Sequence, residues 1–214
     1  MTDFPHIPKI NIESTTQQLL KDYHNSTGKA VSATTPVFEM IEFLGYDLDF
    51  RSDGFYEDPN NLGGLHIDEK LVVINENLTE QEGRMHFTAA HEIGHIRLHV
   101  PLIMEQKAKE NILCRKDEGF EGTKKNPREW QADTFAACLL MPTQAVRSAF
   151  FKTRRKPVDL SKKRLLDLIR RPMPIRQKGL WMADRIIKTG NFVNVSKLAM
   201  LNRLIGLGLV RGIG

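Results

Sequence analysis

Cysteine is scarce in this chain. Its 214 residues include only Cys114 and Cys138, without the close spacing of a thiolate metal site and too few for a disulfide framework. Cys138 lies in the apolar run Phe135-Ala-Ala-Cys-Leu-Leu140, where a small buried hydrophobe is expected. Long hydrophobic runs are also missing. No segment approaches the ~18 consecutive apolar residues of a membrane span. The start, Met1-Thr-Asp-Phe-Pro-His-Ile-Pro8, has neither the basic nor the unbroken apolar stretch of a signal peptide. These absences lead to the expectation of a cytoplasmic protein in a reducing compartment. Repeats and low-complexity tracts are absent too. An apolar fraction of 41% with 27% charged residues excludes general disorder, and a chain of this length buries a core without staples.

Acidic residues almost vanish from the last third. Residues 143–214 carry 17 Lys and Arg against Asp159, Asp167 and Asp184, a net +14, whereas residues 1–142 carry 14 against 23, a net −9. A tail this basic attracts nucleic acid, an acidic protein, or the acidic half of its own chain. A solvated basic helical surface explains it equally well.

Periodicity gives the coarse organisation. Leu19, Leu20 and Tyr23 share a helical face within Glu13–Tyr23, and the polar stretch His24–Thr35 reads as a loop. Thr35 as a cap, Pro36 as a first helical residue and Gly45 as a stop bracket a helix over Val37–Leu44. Tyr46, Leu48 and Phe50 alternate with acids as in a half-buried strand. Gly64–Ile67 and Leu71–Ile74 then read as a hairpin. Thr79-Glu-Gln-Glu82 has the capping-box pattern, opening a helix that should run to about His99, before Pro101. Residues 101–125 show no regular pattern. Asn126-Pro127 opens a helix over Glu129–Met141, and the rest is helical with breaks at Pro157, Arg171–Pro174 and Gly190. Helices following a small sheet predict an α+β fold, with one region over 1–142 and a basic helical region over 143–214 that packs on it.

The capped helix carries His91-Glu92-Ile93-Gly94-His95. Residues four apart lie on one helix face, roughly 6 Å apart along the axis, so both imidazoles can reach one tetrahedral zinc. Glu92, one residue round the helix, can take a proton from the attacking water without ligating the metal. A third protein ligand is required. His99 continues the spacing, but on an unbroken helix it stands about 12 Å from His91; a helix-end residue favoured by the dipole is the expectation there. Glu129 and Asp133, four apart on the next helix, offer a ligand and an acceptor for the free nitrogen of a ligating histidine. Glu129 also stands where it could complete an N-terminal cap behind Asn126. Glu105, Glu110, Asp117, Glu118 and Glu121 remain alternatives.

Arg84-Met-His-Phe-Thr-Ala-Ala-His-Glu-Ile-Gly-His95 followed by Glu129-Trp-Gln-Ala-Asp-Thr-Phe-Ala-Ala-Cys-Leu-Leu-Met-Pro142 resembles the ImmA/IrrE family of bacterial and phage metallopeptidases. The likeness extends to Val73-Ile-Asn75 before the active helix and to Val195–Met200, Arg203-Leu204 and Leu207–Leu209 near the C-terminus. It implies zinc ligation by His91, His95 and Glu129, with Glu92 as general base. The family often has asparagine where Asp133 stands; aspartate there looks like the residue that supports a ligating histidine in thermolysin-like zincins. The resemblance further implies a gluzincin-like fold and a DNA-binding repressor as protein substrate, whose cleavage relieves transcription of stress or mobile-element genes. The tail Val195–Leu209 looks like half of a helix-turn-helix behind Trp181–Lys188, with Lys197, Asn202 and Arg203 as the candidate base readers.

The expected activity is therefore zinc-dependent hydrolysis of a peptide bond in such a repressor. His66, His86, Tyr46, Tyr56 and several arginines are the candidate donors to the developing oxyanion, and the substrate is expected to lie extended along an edge of the Gly64–Ile74 hairpin. The alternatives are a DNA-binding regulator and a module that sequesters a repressor without cutting it, with a structural or vestigial zinc site in either case. Weak, non-specific DNA binding through the basic C-terminal region is expected as well.

Overall fold

The computed structural model describes residues 4–29, 34–105, 112–115, 126–161 and 173–213. The chain divides into two compact units between Leu140 and Met141. Among the described residues the architecture is mixed α+β, with eight α-helices and a four-stranded sheet. No helix among them is long and apolar enough to cross a membrane.

In the first unit, α1 (Lys9–Thr27) is longer than the helix expected over Glu13–Tyr23 and takes in the first four residues of the expected loop. At its N-terminal end buried Ile12 continues the face of Thr16, Leu19 and Tyr23. Gly28 stops it in a left-handed conformation at φ 70°, donating its N–H to His24 O. The helix α2 (Val37–Phe43) ends before Gly45 at φ 78°. Pro36 sits just outside this helix, and the Thr35 hydroxyl donates to Leu139 O, so the expected cap is not made.

The sheet runs β1 (Asp47–Arg51), β3 (Leu71–Asn75), β2 (Asn61–His66), β4 (Ile112–Arg115) in spatial order. The predicted hairpin is β2–β3, antiparallel, turning through Lys70 at φ 50°. Both its outer edges are covered: β1 pairs with β3 in parallel and β4 with β2 antiparallel. An extended substrate therefore cannot add to the hairpin, contrary to expectation. The strand β4 escaped the sequence reading because it is made by pairing with distant β2 and carries no alternation of its own. Buried Asn75 clamps the loop before β2: its amide nitrogen donates to the carbonyls of Tyr56, Asp58 and Asn61, and its oxygen accepts from Asn77 N–H.

The expected capping box does not form either. The Thr79 hydroxyl donates back to Glu76 O across the short 3-10 turn Glu76–Leu78, and α3 (Glu82–Leu98) begins after Gln81. A short helix, α4 (Val100–Glu105), follows within the stretch expected to be irregular. Asn126 accepts from Arg128 N–H at the start of α5 (Pro127–Leu140). α3 packs on β2 and β3, and α5 lies along α3.

The contact between these helices depends on Gly94. A Cβ at that position would stand 3.1 Å from Ala132 Cα, 3.2 Å from Ala132 O and 3.2 Å from Phe135 Cβ. Two of those three atoms are backbone and cannot turn aside. A glycine in mid-helix costs about 1 kcal/mol of propensity, and here the cost is offset by closer approach of a buried neighbour.

The second unit contains α6 (Thr143–Thr153), β5 (Val158–Asp159), α7 (Ile175–Gly190), α8 (Lys197–Gly206) and β6 (Val210–Arg211), with β5 and β6 parallel. Ser196 caps α8 by accepting from Ala199 N–H. Arg203, expected as a base reader, is 5% exposed; it donates to Met141 O and to the Thr143 hydroxyl. It holds the start of α6 and is not presented to solvent. Asn202 and Lys197 are exposed, the latter paired with Asp184 at 3.1 Å.

Replacing Gly94 by alanine is expected to destabilise the protein by roughly 1–3 kcal/mol in urea denaturation, because overpacking exceeds the propensity gained. A more stable Gly94→Ala protein would contradict the close-contact reading.

Candidate metal centre

α3 and α5 supply the site from facing sides. His91 and His95 stand one turn apart on α3, and Glu129 reaches them from the first turn of α5. His91 Nε2 lies 2.9 Å from His95 Nε2 and 3.1 Å from Glu129 Oε2, and His95 Nε2 lies 3.6 Å from Glu129 Oε2. The three side chains are buried. A tetrahedral ion with bonds of ~2.0–2.1 Å places its ligand atoms about 3.3 Å apart, which is the middle of this range.

The remaining nitrogens explain why the triangle needs a cation. His91 Nδ1 is 3.0 Å from Asp133 Oδ1, and His95 Nδ1 is 2.9 Å from His99 Nδ1. When those Nδ1 atoms donate, both Nε2 lone pairs point at each other and at a carboxylate. Three electron-pair donors meeting in a dry site repel unless positive charge lies between them. Burial lowers His95 to about 3, so the ring does not supply that charge as a proton. Burial works to raise Glu129, but when the two rings instead carry their protons on Nε2 their hydrogen bonds outweigh it and hold the carboxyl well below its ordinary range, so a carboxylate faces them in either state. Arg128 Nε, 3.6 Å from Glu129 Oε1, adds positive charge on the other side. The donor set fits a metal ion.

Glu92 is fully buried, and neither carboxylate oxygen has a hydrogen-bond partner among the described residues. Burial pushes it up to about 8; nearby Glu129 adds to the rise, while His91 and Arg128 oppose it. A Cβ on Gly63 would come within 3.5 Å of Glu92 Oε1, so β2 forms the wall beside this carboxylate. An orphaned buried acid next to a metal-binding group is where a polarised water belongs.

The sequence-selected residues His91, Glu92, His95, Glu129 and Asp133 thus meet in one place. Glu129 faces the histidines, so the capping alternative does not describe its side chain. Glu105 is exposed on α4, and Glu110, Asp117, Glu118 and Glu121 lie outside the described residues. His99 differs from expectation. It is buried and pushed down to about 4 chiefly by burial, so no cation sits there for the helix dipole to favour. Its second nitrogen meets Gln131 Oε1 at 3.0 Å. The separation from His91 excludes His99 as a ligand, while its i+4 spacing from His95 lets it support that ring; Gln131 gave no signal of its own. Among the candidate oxyanion donors, Tyr56 is buried and held at about 12, first by burial and then by the charge of Glu92; its hydroxyl is 3.5 Å from His66 Nε2.

The mixed α+β scaffold thus carries, on two adjacent helices, a buried His-His-Glu group that could hold a metal ion. Residues 48–166, more than half of the chain, match the Peptidase M78 family, described as the IrrE N-terminal-like domain, and the chain belongs to that family. No match is found among curated proteins.

The raised Glu92 carboxyl sets the sign of a pH effect in metal-free protein. A folded-state value near 8 against an ordinary 4.5 means that folding favours the proton. Stability is then fully present at low pH and is lost as pH rises through that window. Metal-free Glu92→Gln should be more stable than metal-free wild type, by on the order of a few kcal/mol at the top of the window and little below it. Chelator-treated samples denatured at pH 5 and pH 8 measure this. A gap that does not grow with pH would contradict the assignment.

Proposed function

We propose that this protein is a zinc-dependent endopeptidase. The observation that carries the reading is the buried triangle of His91 Nε2, His95 Nε2 and Glu129 Oε2, within 4.8 Å of one another, beside Glu92, whose oxygens have no partner among the described residues. Two imidazoles and one carboxylate are a zinc set that leaves a position open for water or substrate. His91, His95 and Glu129 would hold the ion, and Asp133 fixes the His91 ring through Nδ1. A bound zinc supplies Lewis acidity, making water a usable nucleophile at neutral pH and a carbonyl more electrophilic.

The protein's own groups do the rest. Glu92 accepts the proton of the attacking water and passes it to the leaving amine. Tyr56, kept neutral and buried, is the proposed donor to the developing oxyanion. With the hairpin edges covered, the outer backbone edge of β4 is the proposed track for an extended peptide. A DNA-binding repressor is the proposed substrate, and relief of transcription the outcome. The helix pair α7–α8 and the basic surface around it would dock that partner. Burial of Arg203 favours docking over sequence reading, since two of the three candidate base readers remain accessible and Lys197 is tied to Asp184.

Purified protein should carry about one zinc per chain, with binding largely lost in His91→Ala and His95→Ala. Glu129→Gln should weaken affinity strongly, and Asp133→Ala by roughly 10–100-fold. Unchanged zinc titrations in the last two would remove both residues from the site.

Co-expression with candidate helix-turn-helix repressors tests the activity. The wild type should cleave the repressor, Glu92→Gln should be slower by about 10²–10⁴-fold, and Tyr56→Phe should lower kcat with little change in KM. Equal cleavage by wild type and Glu92→Gln would reject the enzyme reading. Capture of intact repressor by both would favour sequestration.

A further inference from the structure

The hydrogen bonds behind His95 continue outward to the N-terminal segment. His95 Nδ1 faces His99 Nδ1 at 2.9 Å, His99 Nε2 faces Gln131 Oε1 at 3.0 Å, and Gln131 Nε2 donates to Pro5 O at 3.0 Å. His95, His99 and Gln131 are all 0% exposed, so water cannot substitute for a missing partner within this run. The segment that carries Pro5 is held by rings on both sides. Phe4 meets His99 edge-on at 5.4 Å, His6 stacks on Trp130 at 5.9 Å, and Arg128 lies over the Phe4 ring at 5.2 Å.

Each bond in this run needs one donor and one acceptor, and only one end has a fixed role. A carbonyl oxygen accepts and never donates. Pro5 O therefore requires the amide nitrogen of Gln131, which turns the amide oxygen towards His99. That oxygen requires His99 to carry its proton on Nε2, leaving Nδ1 as an acceptor. His99 Nδ1 in turn requires the proton of His95 on Nδ1, which frees His95 Nε2 to bind a metal. A flip of Gln131 would reverse every bond: its nitrogen would donate to His99, His99 would donate to His95, and the His95 proton would be forced onto Nε2, where it blocks ligation.

We propose that the N-terminal segment Phe4–Pro8 is a working part of the metal centre: through Gln131 and His99, the Pro5 carbonyl fixes the ring tautomer of His95 and so keeps that ring able to bind a metal. His99 and Gln131 are positioning residues. The proposal rests on the reading of His95 as a ligand, but its tautomer component is measurable without any metal.

The segment can be released in the full-length chain by the double change Phe4→Ala and His6→Ala. Gln131→Met provides the control, since a thioether cannot donate to His99 and so cannot reverse the run. Two readouts are taken: zinc affinity by chelator competition, and the ¹⁵N shifts of the His95 ring in metal-free protein. In wild-type background, release should weaken zinc binding about 10-fold and change His95 from the Nδ1–H form to a mixture. In Gln131→Met background, release should change neither readout. Three results would overturn the proposal: no effect of release in wild type, an equal loss of affinity in both backgrounds, or an Nε2–H form of His95 in the metal-free wild type. A wild type that binds no zinc while His95 shows the expected tautomers would instead sink the metal reading and leave the relay standing.

Discussion

Two helices approach closely at one glycine, and the site follows from that approach. With Gly94 against the backbone of Ala132, α5 is near enough for Glu129 and Asp133 to reach opposite nitrogens of the same His91 ring. A wider spacing would leave a carboxylate and two imidazoles buried without counter-charge, which costs several kcal/mol in a dry interior. The glycine within the His-Glu-x-Gly-His segment is thus a packing requirement, distinct from the chemistry of the residues around it.

Each side chain of the candidate metal group has a second partner that removes its freedom. Asp133 sets the His91 ring, His99 sets the His95 ring, and Arg128 lies beside the second oxygen of Glu129. Glu92 is the exception, with both oxygens unpartnered among the described residues. Three groups are held for binding and one is left with unspent hydrogen-bonding capacity, which is the distribution expected where a reacting water must be received. On the other side, Asn75 holds the loop that carries Tyr56, so the fold fixes that hydroxyl from the backbone rather than leaving it on a free turn.

Much of this was legible in the sequence where the interactions are local. The i, i+4 spacing of His91 and His95, and of Glu129 and Asp133, gives helix faces directly, and the β2–β3 hairpin follows from composition and turn residues. Errors arise where a distant partner decides. β4 exists through its pairing with β2, and that pairing covers the edge that seemed free. Thr79 bonds back into a 3-10 turn instead of capping α3. Arg203, charged and on a short amphipathic helix, looks like a surface residue until Met141 O and Thr143 are brought to it. For His99 the spacing excludes a ligand and leaves a helix-end residue as the expectation, because spacing measures distance to a metal and says nothing of what a ligand's second nitrogen requires.

The central claim is that His91, His95 and Glu129 together hold one zinc, and X-ray absorption at the zinc edge of the purified protein tests it most directly. The expected spectrum has a shell of nitrogen and oxygen at ~2.0–2.1 Å with the outer-shell pattern of two imidazoles, reduced to one imidazole in His91→Ala. Sulfur scattering at ~2.3 Å, or a two-imidazole pattern that survives in His91→Ala, would place the metal elsewhere and contradict the assignment.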